Sequence, residues 1–523
     1  MRIGIYNRWL ATMGGGERHM LAMAELLSVK HDVEVISHQL VSKRDLEKKL
    51  NVDLEKVELV CVPMLPCEEN YSFTKDYDLF INASFRSTLP SQAPKSLLLV
   101  YFPDPLELSP WIKFKMKVGL WLKRQLMVPD YVEGFFDFEE MGEWMIRWTG
   151  EEALLRIHVP PRLKCLRLRL LLGRPEGPPE ADVSFLTDSR QVSSLHLDGK
   201  APFKFHDLHL EVDSRPLLLE IRTDTFDPSL KDSTKIKREL GVALAAVKPL
   251  HLRYRLFQFL FGLIFRNKGL KLLGLLPYRQ PDFVESYDEI CANSHFTSYW
   301  IKRFWGKDSK LFQPPVEVEA FKPLPKRNII LSVGRFFVGG HNKKHIPMIR
   351  AFKKLLKGGL RGWELHLAGG TVPEKRHLDY LQRVKKEASG YPIYIHTDAN
   401  FAELTKLYGQ AKIYWHACGY GENVERNPMR FEHFGITTVE AMAAGCVPVV
   451  INKAGQVETV RHGEDGFLWN SLDELQRYTM RLIEDEALWQ KMSQTAMEHS
   501  RQFGREAFAE KLKEIMAVLG VEV

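Results

Sequence analysis

The run RFEHFGITTVEAMAAGCVPVV, residues 430–450, limits the folds open to this chain more than any other stretch. A glycine-containing loop, a short helix and an apolar, β-branched segment follow one another. A continuous apolar segment reads as a strand covered on both faces, and a strand reached through a helix pairs in parallel. The spacing predicts a helix over residues 438–444, with Thr437 and Thr438 as N-cap candidates and Gly445 as its stop, then a strand over 446–451. Glu432 precedes the helix and Glu440 falls in its first turn. A helix N-terminus offers free N–H groups and a positive dipole end, which suit a phosphate. Carboxylates on either side can accept hydrogen bonds from sugar hydroxyls, and a phosphate between two polyols is a nucleotide-sugar. Taken alone, the two glutamates are equally well explained as helix-end charges. The rest of the chain has to separate the two readings.

Residues 1–145 alternate short apolar strands, at 2–6, 33–37, 57–62, 79–82 and 97–101, with helices such as 17–27. This βαβ rhythm predicts a parallel sheet covered on both faces. Near Trp148 the texture changes. From 154 to about 247 apolar and polar residues alternate, as in CLRLRL (165–170), KFHDLHLEV (204–212) and LLLEIRTDTF (217–226), with separators such as GRPEGPPEAD (173–182). That is the pattern of an antiparallel β-sandwich, read as an insertion because βαβ text resumes afterwards. Residues 287–306 read as strand, serine-capped turn and helix, and 311–321 as a proline-rich connection. Residues 328–490 carry strands at 329–333, 364–368, 393–396, 413–415 and 447–451, and long amphipathic helices follow at 472–503 and 505–519.

The expected fold is therefore α/β, with two Rossmann-like doubly wound domains and a β-sandwich inserted in the first. The expected bounds are 1–147 for the first part of the N-terminal domain, on the acceptor side, and 148–250 for the insert. Residues 251–322 form its second part and linker, 323–498 the nucleotide-sugar domain, and 499–523 a C-terminal helix that can return to the N-terminal domain. Two such domains facing each other would place a ligand at the carboxyl ends of their strands.

A chain of 523 residues has room for this, at about 100–200 residues per domain. The net charge of +7 suits anionic ligands or an anionic membrane face and is too small to argue for nucleic acid. Six scattered cysteines without a CxxC pair read as buried thiols in a reducing compartment. The N-terminus reads directly as a strand, and no run of about 18 apolar residues is present. The expected location is cytoplasmic, peripheral at most to a membrane. Two basic, apolar stretches bear on that, WIKFKMKVGLWLKRQ (111–125) and HLRYRLFQFLFGLIFRNKGLKLLGLLP (251–277). Each has the composition of an interfacial helix facing anionic lipid, and equally that of a core helix with a solvated basic face.

Three further constellations sit where a ligand would. GGGERH (14–19) opens the first helix, and Gly15 and Gly16 let backbone approach a ligand, although a tight turn needs glycine as well. It is neither a GxGxxG fingerprint nor a P-loop. In SVGRFFVGGHNKKH (332–345) a strand ends, Arg335 leaves it, and Lys343 and Lys344 follow a Gly-Gly turn. An Arg and a Lys converging there could clamp a diphosphate, or simply be solvated charges. In IYWHACGYGE (413–422) His416 stands just past a strand end, as a ligand contact or a structural histidine.

With these residues in view, the second half resembles the retaining GT-B glycosyltransferases of sequence family four. It carries their paired glutamates at Glu432 and Glu440, their Arg–Lys pair at Arg335 and Lys343, spaced wider here by VGGHN, and the run FGITTVEAMAAGCVPVV. GGGERH and YDLFINASFRS (77–87) resemble the subgroup of GDP-mannose-dependent mannosyltransferases of lipid-linked oligosaccharide synthesis. The resemblance covers residues 1–110 and 280–500. It implies a hexosyltransferase that moves a hexosyl unit from a nucleotide-diphospho-sugar to a glycan or lipid-linked glycan acceptor with retention. Glu440 would bind the ribose, and Glu432 a sugar hydroxyl near the reacting carbon. Arg335 and Lys343 would neutralise the diphosphate, and the N–H groups of Gly435, Ile436 and Thr437 would cradle its distal phosphate. His416, Gly15 and Gly16 would approach the donor. No cofactor is implied, and the leaving group is handled without a metal. Related sequences often carry His where Tyr101 stands in LVYFP (99–103), facing the sugar. A phenol can donate a hydrogen bond there but does not readily carry a proton. The alternative reading is a catalytically weak glycan- or nucleotide-sugar-binding protein that uses the inserted sandwich.

Overall fold

The computed structural model describes the chain outside residues 39–40, 63–71, 107–109, 112–113, 115–116, 119–120, 122–126, 128, 142–143, 160–162, 176–177, 179, 199–201, 213–215, 229–237, 252–255, 257–281 and 373. It forms two compact units. The first comprises Met1–Met13, Leu27–Leu98 and Pro105–Asp288; the second comprises Gly14–Leu26, Leu99–Asp104 and Glu289–Val523.

In the first unit, β1 (Arg2–Tyr6), β2 (Asp32–Ser37), β3 (Val57–Cys61), β4 (Leu79–Asn82) and β5 (Lys95–Val100) lie in the order β3-β2-β1-β4-β5. All four pairings are parallel, as continuous apolar strands joined by helical crossovers require. Gly4 lies in β1 because the Tyr77 ring crosses it, 2.8 Å from where a Cβ would stand.

The insert contributes β6 (Asp130–Met141), β7 (Trp144–Ile157), β8 (Cys165–Gly173), β9 (Glu180–Thr187), β10 (Arg190–Asp198), β11 (Lys204–Glu211), β12 (Leu217–Thr223) and β13 (Ala243–Pro249). The order is β10-β9-β12-β7-β13-β8-β11, with β6 on β7, and every pairing is antiparallel. Alternation produces this architecture directly. In β8, Leu166, Leu168 and Leu170 are buried while Arg167 and Arg169 are exposed. Inward residues of all eight strands share one apolar core, and β13 lies between β7 and β8, with a register shift against β8 between Leu244 and Ala246. The eight strands are linked into one antiparallel sheet around that core, where two stacked sheets were the expectation. The insert begins at Asp130 rather than at 148. Residues 130–141 and 144–147, expected in the α/β part, lie in β6 and the start of β7.

The second unit holds β14 (Glu289–Ala292), paired in parallel with β15 (Lys310–Leu311), and a six-stranded parallel sheet. The latter has the order β18-β17-β16-β19-β20-β21, from β16 (Arg327–Val333), β17 (Glu364–Gly369), β18 (Ile393–Thr397), β19 (Ala411–His416), β20 (Val447–Ile451) and β21 (Phe467–Trp469). Helices follow the strands: α1 (Gly15–Leu27), α2 (Lys43–Leu50), α3 (His295–Trp305), α4 (His345–Lys357), α5 (Lys375–Ala388), α6 (Phe401–Gln410), α7 (Ile436–Ala443), α8 (Gln456–Thr459), α9 (Leu472–Glu484), α10 (Glu486–Ser500) and α11 (Arg505–Val518). Of these, α2 belongs to the first unit. The turn before α3 is serine-capped as expected, with Ser294 accepting from the Thr297 N–H at 3.1 Å.

Two helix boundaries differ from expectation. The stretch 472–503 is broken at Asp485, whose side chain accepts from the Leu488 N–H at 2.9 Å and so starts α10. The helix expected at 438–444 starts at Ile436, with Gly435 as its N-cap at φ +108°. A left-handed N-cap is open to glycine and strained for threonine. The C-terminal helix α11 returns to α1. Phe508 stacks on Phe312 at 4.8 Å and meets the His19 ring at 5.5 Å, and Arg505 Nη1 donates to both Glu25 carboxylate oxygens at 3.0 Å. Four described cysteines are buried free thiols, whereas Cys165 is exposed; Cys67 lies outside the described residues.

Candidate functional site

The constellations read from the sequence gather in the second unit, around the N-terminus of α7. The N–H groups of Gly435, Ile436 and Thr437 have no acceptor among the described residues; the first bonded donors are Thr438 and Val439, both to the Gly435 carbonyl. The two threonines do not cap the helix. The Thr437 hydroxyl is bonded to the Tyr414 hydroxyl at 2.8 Å, and the Thr438 hydroxyl donates to Gln456 Oε1 at 2.8 Å. Gln456 is fully buried, its Nε2 has no partner among the described residues, and that nitrogen lies 2.6 Å from where a Cβ on Gly435 would be. Three backbone donors and one amide donor therefore surround one helix end, an arrangement made for an anion.

Glu432 precedes this end. It is ion-paired to Lys343 Nζ and bonded to His416 Nε2 at 3.1 Å. A carboxylate only accepts, so Nε2 carries the proton and His416 Nδ1 is bare; that nitrogen is buried without a partner among the described residues. Burial pushes the Glu432 carboxyl upward, but Lys343 and His416 override it and hold the group well below its ordinary value. Burial likewise lowers His416, against the pull of Glu432. For Lys343 the burial penalty is outweighed by Glu432, and its pKa is raised.

Glu440 is the fifth residue of α7 and so lies in its second turn, because the helix starts earlier than expected. It is buried, takes a hydrogen bond from the Tyr408 hydroxyl at 2.9 Å and faces Arg18 Nη1 at 3.4 Å. Burial raises its pKa, and Arg18 and Tyr408 offset only part of that. Arg335 leaves β16 exposed, with its guanidinium 5.4 Å from the centre of the Phe337 ring and no carboxylate partner among the described residues. Lys344 is engaged elsewhere, on Glu422 at 2.8 Å.

Gly15 and Gly16 begin α1. A Cβ on Gly15 would come within 2.7 Å of Ile436 Cδ1, which is how closely this turn meets the start of α7. The Tyr101 hydroxyl donates to the Gly16 carbonyl at 2.6 Å. The phenol thus holds the glycine turn in place, and burial, with Glu17 nearby, keeps it protonated. Five side chains at this site carried no assigned role in the sequence reading: Arg18, Tyr408, Gln456, His341 and His433, the last stacked on Phe102 at 4.4 Å. Arg18, His341 and His433 sit inside motifs already noted. Tyr408 and Gln456 have no sequence signal, since each reaches the site only through the parallel pairing of β19 and β20.

Residues 317–499 match the model of the family described as glycosyl transferases group 1. The chain carries a glycosyl transferases group 1 domain. Glu432, Glu440, Arg335, Lys343, His416 and the start of α7 all lie inside it. Over 239 residues the chain is 28% identical to a GDP-Man:Man(3)GlcNAc(2)-PP-Dol alpha-1,2-mannosyltransferase of Dictyostelium discoideum, covering 42% of this chain and 44% of that one. Over 306 residues it is 28% identical to the alpha-1,3/1,6-mannosyltransferase ALG2 of Rhizomucor pusillus, covering 49% and 63%. The chain thus spans about half the length of the curated relatives it matches. The crystal structure of Anabaena HepE in complex with UDP-glucose superposes with a TM-score of 0.52 at 12% identity, over 99% of this chain and all of that one, to the nearest percent. That likeness concerns the fold, which is GT-B with a β-rich insert.

Proposed function

We propose that this glycosyl transferases group 1 chain is a retaining hexosyltransferase, moving mannose from a nucleotide-diphospho-sugar to a glycan or lipid-linked glycan acceptor. One observation carries the reading: the N-terminus of α7 and Gln456 Nε2 beside it, both without an acceptor among the described residues, lie between an ionised Glu432 and a buried Glu440. The distal phosphate would sit on the N–H groups of Gly435, Ile436 and Thr437. Glu440 would take the ribose hydroxyls in place of its long contact with Arg18. Glu432, fixed by Lys343 and His416, would accept a hydroxyl of the transferred sugar.

In the reaction the bond from the anomeric carbon to the diphosphate oxygen breaks while the acceptor hydroxyl oxygen bonds to that carbon. The acceptor proton leaves with the diphosphate. Negative charge develops on the leaving group, so donors fixed beforehand around it supply the stabilisation. Arg335, Lys343 and the α7 N–H groups fill that role without a metal. The mannosyl and lipid-linked parts of the proposal rest on what the two relatives are named for.

A peripheral membrane contact at a cytoplasmic face belongs to the same reading. The described residues of the stretch 110–121 are helical, and Trp111, Phe114, Val118 and Trp121 are exposed at spacings of one helical face. Trp111 and Phe114 stack at 5.7 Å. The surrounding sequence is basic without an acidic residue, which suits anionic lipid. The second basic stretch, 251–277, lies outside the described residues except His251 and Leu256. Among the described residues no helix is long and apolar enough to cross a membrane.

The deciding experiment measures nucleoside diphosphate release from GDP-, UDP- and ADP-sugars with soluble glycan and lipid-linked acceptors, for the wild type and for Arg335→Ala. Turnover with one donor, lost in the variant, supports the proposal; no release from any donor removes it. Flotation of the protein with anionic liposomes, weakened in Trp111→Ser/Trp121→Ser, tests the membrane contact. Equal recovery with and without lipid would end that part.

A further inference from the structure

The segment VGGHN, residues 338–342, widens the interval between Arg335 and Lys343, and the proposed chemistry gives it no task. It is nevertheless a built loop. The Val338 N–H donates to His377 Nδ1 at 2.9 Å, the Asn342 amide donates to the Phe337 carbonyl, and Asn342 Oδ1 accepts from the Lys344 N–H at 2.9 Å. Gly339 at φ +138° supplies a backbone angle that a side chain would oppose. The residue this loop presents inward is His341. Its ring stands edge-on to His433 with centroids 4.6 Å apart and is within electrostatic reach of Glu432, Lys343 and Arg335. It is half-buried. Burial lowers its pKa to about 4, with Glu432 opposing, so the ring is neutral near pH 7. A neutral imidazole keeps one nitrogen bare, and that nitrogen can accept a hydrogen bond from a hydroxyl. Meanwhile the Tyr101 hydroxyl is committed to the Gly16 carbonyl.

We propose that His341 contacts the sugar being transferred and sets which nucleotide-sugar is accepted, through a hydrogen bond from a sugar hydroxyl to its bare ring nitrogen. This rests on the transferase reading and names its specificity determinant. A site built to pair one hydroxyl rejects a sugar that lacks it in that position. The inserted loop is then the element that distinguishes this site from one in which Arg335 and Lys343 stand closer in sequence.

The full-length protein is assayed with donors that share a base and differ in sugar, as wild type, His341→Ala and His341→Gln. Binding of the nucleoside diphosphate alone is titrated in parallel. His341→Ala is expected to lose about tenfold in kcat/KM with the preferred donor and less with the others, narrowing the ratio between sugars. His341→Gln should recover part of it, and affinity for the nucleoside diphosphate should not move. An unchanged ratio between sugars overturns the proposal. So does a matching loss of nucleoside diphosphate affinity, which would make His341 a support for the loop only. Absence of turnover in the wild type instead refutes the transferase reading, and this inference falls with it. A ligand-free thermal melt identifies a folding failure of His341→Ala, in which case His341→Gln carries the test.

Discussion

Glu432 is kept ionised in a partly buried place that opposes its charge, and two neighbours reverse the effect of burial. Its folded pKa is depressed below 4.5, so it contributes stability above that value and loses it as pH falls through the lower folded value. Glu432→Gln should therefore cost stability at neutral pH, leaving Lys343 unpaired, and lower turnover by about 10²-fold or more. Wild-type kcat/KM should show no ionisation of this group between about pH 5 and 8. An acid limb near pH 6 that vanishes in Glu432→Gln would contradict the assignment. His19 makes the opposite kind of residue. It is fully buried among Tyr101, Phe312 and Phe508, neither ring nitrogen has a partner among the described residues, and burial alone takes its pKa from 6.5 to about 3. Below 6.5 the unfolded chain binds a proton that the folded one refuses, so stability falls as pH falls through that window. The contribution is about 2 kcal/mol between about pH 8 and pH 5. His19→Phe should flatten the urea-melt dependence on pH by one proton and leave neutral-pH stability equal or higher; an unchanged slope would show that His19 takes its proton in the folded state.

At the scale of elements, the start of α7 depends on Gly435. Its φ of +108° suits no L side chain well, and a Cβ would press on the Gln456 amide at 2.6 Å. Gly435→Ala should cost about 1–3 kcal/mol in chemical denaturation and weaken nucleoside diphosphate binding more than it weakens folding. Gly15→Ala is expected to be milder, because the atom it meets is the flexible end of Ile436. Wild-type binding by Gly435→Ala would mean the helix N-terminus is not the phosphate site. How far the sequence could be read shows at this element. The loop, the helix and the strand β20 were legible from apolar runs and glycines, since period and breakers are local properties. The two-residue error at the start came from treating Thr437 and Thr438 as caps, when a left-handed glycine competed for that place. The hydroxyls went instead to Tyr414 and Gln456, whose closeness arises only once β19 and β20 lie side by side. Likewise the break at Asp485 was hidden, because the amphipathic period continues across it.

Over the whole molecule, strand-rich regions were recognisable because alternation and continuous apolar runs report one-sided and two-sided burial. Their grouping was not. The division places α1 and residues 99–104 in the unit that contains the family domain, and this follows from contacts such as Arg505 with Glu25 and Phe508 with His19, hundreds of residues apart in sequence. Consequently every residue of the proposed donor site, from Gly15 and Gly16 through Tyr101 to Glu440, belongs to the second unit. The first unit has apolar cores of its own, in the β-insert and where Cys61 of β3 meets Phe136 and Trp148. Separate cores favour separate cooperative transitions. A ligand that binds one native unit raises that unit's stability by mass action, about 2.7 kcal/mol at 100-fold its dissociation constant, and leaves the other alone. Calorimetry of the intact chain should resolve two transitions, and saturating GDP or UDP should move only one of them. The moving transition should be the one lowered by Gly435→Ala and untouched by a core change in the insert such as Leu168→Ala. If the nucleotide moves the transition lowered by Leu168→Ala, the donor site has been placed in the wrong unit.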